Sequence, residues 1–122
     1  MKTISLENAK GLEELGVERV GYFYHLLYSE AGNVICDGVG EANWREFPMS
    51  VPAYTADEIG EMLAHSDTVL SVPIEGTKEY KCYAENHVYS WGHCSYADTM
   101  ADAMALMLIW LIENGHVKAE EL

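Results

Sequence analysis

Basic side chains are scarce in this chain of 122 residues: seven Lys and Arg stand against twenty Asp and Glu, a formal net charge of −13. Binding to nucleic-acid phosphates needs many cations, so DNA and RNA are not expected partners. An anionic membrane surface is disfavoured on the same ground. There are only three Pro, and Gly, Pro and Ser do not cluster, so no long linker or disordered tail is expected. The three Cys at positions 36, 82 and 94 are odd in number and have no repeated spacing, which excludes a disulfide framework. The first residues, MKTISLENAKGLEELG, lack the continuous apolar core of a signal peptide. Free thiols in a reducing cytoplasm are therefore expected. No Walker loop, G-x-G-x-x-G or G-x-S-x-G is present, and GVGEAN at 38–43 lacks both the third Gly and a following helix.

Long apolar runs are missing as well. The longest, Ala103 to Ile112, spans ten residues, about half of what crosses a bilayer. Thr99 and Asp102 give it a T-x-x-D start and Gly115 a natural stop, so a helix over about 100–114 is expected. A helix apolar nearly all round is buried on most of its circumference. Met100, Met104 and Met107 recur at i, i+4 and i+7. That stripe reads as core first and as a dimer interface second.

The acids that are present run from Glu7 to Glu121 without forming a block. Net charge argues solubility and association rather than target, so a solvated surface is preferred to a basic partner or nucleic-acid mimicry. Residues 5–16, SLENAKGLEELG, read as a helix with Ser5 as cap, Gly16 as stop, and Leu6, Ala9, Leu12 and Leu15 near one face. Val20 to Tyr28 suits a strand, SEAGN a turn, and Val34 to Cys36 a returning strand. Residues 37–54 show no clear period and read as a long loop or short irregular strands, anchored by Trp44 and Phe47.

Thr55 and Glu58 form a capping box, which predicts a helix over about 56–64 with Ile59, Met62 and Leu63 inward. Val69 to Ile74, Glu79 to Ala84 and His87 to Trp91 read as a meander. Pro73 marks an edge strand, and a two-residue turn at Glu85-Asn86 sets Cys82 opposite Tyr89 and Tyr80 opposite Trp91. The expected fold is a single small α+β domain over 1–122, an antiparallel sheet packed by N-terminal, central and C-terminal helices.

Candidate chemistry is thin. Cys82, His87, His93 and Cys94 lie within thirteen residues and are soft enough for zinc. C-x4-H-x5-H-C lacks the paired knuckles of zinc modules, however, so a metal or small-ligand domain is the alternative reading. A Cys94 nucleophile at the start of the last helix ranks below it, because adjacent His93 points away along an extended chain. Asp57, Glu58 and Asp102 are accounted for by helix starts. Eight Tyr and three Trp are many for this length. Tyr22, Tyr24, Tyr28 and Trp44 cannot all be core, and Tyr24 and Trp44 are the candidate binding surface.

Three stretches, LENAKGLEELGV, PAYTADEIGEML and TMADAMALMLIWLIENG, resemble a set of small proteins of unknown function encoded in bacteriophages, prophages and mobile regions of gut bacteria. The resemblance implies a cytoplasmic accessory protein that binds a host or phage protein, and it transfers no catalytic residue. Together these readings give an acidic protein acting through contacts with a protein partner. No cofactor or catalytic centre is expected, and homodimerisation is expected through the C-terminal helix or a sheet edge.

Overall fold

A computed structural model describes residues 3–17, 23–41, 49–63, 69–86 and 90–122. The order of elements is α1 (Leu6–Glu14), β1 (Phe23–Glu30), β2 (Asn33–Glu41), β3 (Val51–Pro52), α2 (Ala56–Leu63), β4 (Val69–Pro73), β5 (Tyr80–Asn86), β6 (Trp91–Ala97) and α3 (Met100–Glu113), followed by a short 3-10 turn at Ala119–Glu121. This is an α+β fold with antiparallel pairing throughout the described strands. The strands form two three-stranded sheets, ordered β2-β1-β3 and β4-β5-β6, rather than one.

Local chemistry sets each helix end. The Ser5 hydroxyl accepts from Asn8 N–H at 3.3 Å, and Gly16 turns the chain at φ +87°. Thr55 and Glu58 close the reciprocal box: Glu58 N–H donates to Thr55 Oγ1 at 3.3 Å and Thr55 N–H to Glu58 Oε1 at 3.1 Å. Thr99 Oγ1 accepts from Asp102 N–H at 3.1 Å, and Gly115 has φ +75°.

α3 is the centre of the molecule. Ala101, Ala103, Ala105, Met107, Leu108 and Leu111 are buried, and Met104, Ile109, Trp110 and Ile112 are packed against the core. The β4-β5-β6 sheet lies on one side, and α1 and α2 meet other faces. Glycines permit the close helix contacts. A Cβ at Gly11 would stand 3.3 Å from Ile109 Cδ1, and one at Gly60 would stand 3.4 Å from Met104 Cε. Of the methionine stripe, Met107 is fully buried and Met104 is packed against the core, while Met100 at the helix start is exposed.

The meander differs from its expected register. The β5 and β6 strands pair Tyr80 with Ala97, Cys82 with Ser95 and Asn86 with Trp91. Glu85 and Asn86 are strand rather than turn, and Ser90 takes the left-handed conformation at φ +56°. Each partner is displaced by six residues. An even shift preserves the faces, so Tyr80, Cys82 and Trp91 still share the core side. Tyr89 lies outside the described residues. β4 is an edge strand, as Pro73 indicates. Part of the expected 37–54 loop is also strand, since β2 runs on to Glu41 and β3 holds Val51–Pro52. Residues 42–48 lie outside the described residues.

The β2-β1-β3 sheet is tied to the core by the N-terminal segment. Thr3 bridges Thr55, Ile4 N–H donates to Tyr54 O at 2.8 Å, and Ala53 N–H donates to Phe23 O at 2.7 Å. Buried His25 on β1 lies 2.9 Å from Ile4 O through Nε2. A carbonyl only accepts, so Nε2 carries the proton. Burial lowers the His25 pKa, and the bond to Ile4 and the charge of Asp102 oppose the shift in part.

Two outcomes follow. Met107 is fully buried, so Met107→Ala is expected to cost about 2–5 kcal/mol in denaturant unfolding; a loss of subunit mass with no loss of stability contradicts its place in the core. His25 has a depressed folded pKa, so below the unfolded value near 6.5 the unfolded chain binds more protons. Its contribution is fully present above that value and is lost as pH falls through it. His25→Gln therefore has a flatter stability profile between pH 7 and 5; parallel profiles refute the assignment.

Candidate functional site

Among the described strands with described side chains, β2 of the β1–β2 hairpin is the most exposed. Ala31 and Gly32 both have positive φ, +51° and +83°, which matches a two-residue I′ turn between Glu30 and Asn33. From there the pairing runs Ser29–Val34, Tyr28–Ile35 and Leu27–Cys36. A bulge follows, with His25 opposite Val39, so Asp37 and Gly38 together face Leu26 and Gly38 sits at φ +92°. Gly40 leaves room for Leu26, whose Cδ1 would lie 3.0 Å from an added Cβ.

β1 is paired on both sides, whereas among the described residues no strand lies along the outer edge of β2. Val34 is 60% and Val39 46% exposed, and Asn33, Cys36, Asp37 and Glu41 are exposed beside them. From Phe23 to Glu41 there is no Lys or Arg, while Glu30, Asp37 and Glu41 all face solvent. The pair closing a two-residue hairpin exchanges both backbone hydrogen bonds, and pairs alternate from there. Asn33 and Ile35 thus turn their amides to β1, while Val34 and Cys36 turn theirs to the open edge.

A second feature stands where β6 meets the end of α3. His93 stacks on Trp110 with centroids 4.0 Å apart and planes 3° from parallel, and His116 stacks on Trp91 at 4.2 Å. Trp91 and Trp110 lie 5.6 Å apart. Two residues of the core face of β6 form one layer, and the helix with its terminal turn forms the other. His116 is placed by its N–H, which donates to Leu111 O at 2.9 Å beyond Gly115. Desolvation lowers the His93 pKa. The stack closes the end of the core, and sequence spacing hid it because residues 91–93 and 110–116 meet only in the fold.

An open cleft of about 370 Å³ lies where α1 and α3 begin, with Glu7, Glu79, Asp98 and Asp102 in its lining. Asp102 is already engaged: its Oδ1 accepts Ser5 N–H at 2.6 Å and Asn8 Nδ2–H at 2.9 Å. Among the described residues no three His, Cys, Asp or Glu are grouped to hold a metal ion.

The sequence-predicted residues are dispersed. Tyr24 is 7% exposed, so it is not the open contact expected: it lies on the central strand of its sheet, between Gly40 and Pro52. Trp44 and His87 lie outside the described residues. Cys82 sits on the core face of β5 with no exposure, and Cys94 pairs with Tyr83 on the opposite face of the sheet. The two thiols therefore do not converge, and His93 is spent in the aromatic stack. The hairpin edge is not evident from sequence because 37–54 has no clear period and reads as a long loop or short irregular strands. Its signal is the absence of Lys and Arg from Phe23 to Glu41.

No protein-family model, curated protein or solved structure matches the chain.

Burial pushes the Cys82 thiol up to about 11. With a thiolate-selective reagent at pH 7.5, exposed Cys36 is expected to react first and Cys82 only after unfolding. Rapid labelling of Cys82 in the folded protein contradicts its burial.

Proposed function

We propose that this protein is an acidic accessory protein, of the phage or prophage type its helices resemble, that works by binding another protein and has no catalytic centre. The observation that carries the reading is the outer strand of the hairpin. The chain packs a helix apolar on nearly every face, yet leaves Val34 and Val39 exposed beside a strand edge that no other strand among the described residues pairs. Exposed apolar side chains rimmed by charge are a common form of contact surface. The net charge of −13 favours partners of opposite sign and speeds their encounter. Homodimerisation through α3 or a sheet edge is part of the same reading, and the burial of Met107 with the packing of Met104 favours the sheet edge. A zinc or small-ligand role for Cys82, His87, His93 and Cys94 receives no support from the placement of the two thiols.

Quantitative affinity capture from a bacterial lysate tests this, comparing the chain with a Val34→Lys, Val39→Lys double variant. Both sites are exposed, so the variant is expected to fold. A protein retained saturably by the parent and reduced at least about tenfold with the variant is the expected result, a difference of roughly 1.4 kcal/mol. Equal capture by both refutes the surface. Zinc retained in a native mass spectrum of chelator-free protein refutes the metal-free reading.

A further inference from the structure

We propose that the open edge of β2 accepts an extended basic segment of a partner protein as an added antiparallel strand. The inference rests on the protein-binding reading and names the surface and the partner's chemistry. The backbone supplies the recognition. Val34 and Cys36 direct N–H and C=O groups outward, and an added strand satisfies them in the same pattern that β1 satisfies on the other side.

Charge selects the occupant. The hairpin carries Glu30, Asp37 and Glu41 at the surface and no Lys or Arg. A second copy pairing edge to edge sets these carboxylates against their own duplicates, which like-charge repulsion opposes. An incoming strand of alternating Lys or Arg and apolar residues instead places its cations on the face of Glu30 and Asp37 and its apolar side chains against Val34 and Val39, with Glu41 at the end of the valine face. The bulge at Asp37–Gly38 interrupts the regular edge. The run from Asn33 to Cys36 is therefore the docking segment, and the acids beyond it are the charge filter.

The test uses the full chain and a capped eight-residue peptide alternating lysine with valine, read by amide hydrogen exchange and by titration. Two control peptides carry glutamate for lysine, or N-methyl groups on alternate amides. The expected result is protection of the Val34 and Cys36 amides by the lysine peptide alone. Affinity falls at least about tenfold with Cys36→Pro, which removes an outward N–H. It falls similarly with Asp37→Lys, Glu41→Lys, a pair of exposed substitutions that keeps the proposal testable if the proline disturbs the hairpin. Protection elsewhere, equal binding of the N-methyl peptide, or indifference to charge reversal overturns it. Protection of β2 without peptide, together with a dimer in the native mass spectrum, overturns it in favour of a second copy. If the peptide fails while lysate capture still depends on Val34 and Val39, strand addition is overturned and protein binding stands.

Discussion

A helix with apolar side chains on every face cannot lie on a surface, and the rest of this fold follows from that constraint. Most of the circumference of α3 must be covered, and a single sheet covers only one side. The β4-β5-β6 sheet supplies one wall, while α1 and α2 supply others through the contacts at Gly11 and Gly60. Each large side chain buried this way contributes about 1.5–3 kcal/mol. The C-terminal segment adds to the cover. After Gly115 the chain folds back so that Val117 and Ala119 are buried and His116 lies over Trp91.

The second sheet depends on the same helix at one remove. Asp102, in the first turn of α3, does not reach back to Thr99 as a full capping box does. Its carboxylate spans to α1 and takes the Ser5 amide and the Asn8 side chain. That fixes the entry to α1, and the preceding residue, Ile4, is held between Tyr54 and His25. His25 then carries the link into β1. A chain of polar contacts thus runs from the start of the central helix to the middle of the hairpin sheet. Its buried member is an imidazole whose pKa is lowered, because a charge there loses its hydration.

Much of this was legible in the sequence where the signal is local. Ser5, Thr55-Glu58, Thr99 and Gly115 mark helix ends through side-chain chemistry that acts within four residues. Face assignment in the meander was legible too, because period two survives any even slip. The register was not, since nothing local distinguishes a turn at Glu85-Asn86 from one a few residues later; the pairing of β5 with the whole of Trp91–Ala97 decides it. Tyr24 was misplaced because an aromatic residue on a strand is exposed or buried according to what lies on each side, and β3 is only two residues long. The role of Asp102 toward α1 and the meeting of His93 with Trp110 are contacts across the fold, invisible to spacing along the chain.

The hairpin poses the remaining physical problem. An unpaired strand edge with exposed valines invites association with any extended chain, and proteins commonly blunt such edges with charge. Here the blunting is one-sided, since all the formal charge between Phe23 and Glu41 is negative. Charges of one sign repel copies of the same strand while leaving the edge open to a strand of the other sign. A purely protective role is served equally well by lysine, by a proline on β2, or by polar residues at 34 and 39. None of these occurs in NVICDGVGE. The same carboxylates that keep the edge from pairing with itself thus set the terms on which it pairs with something else.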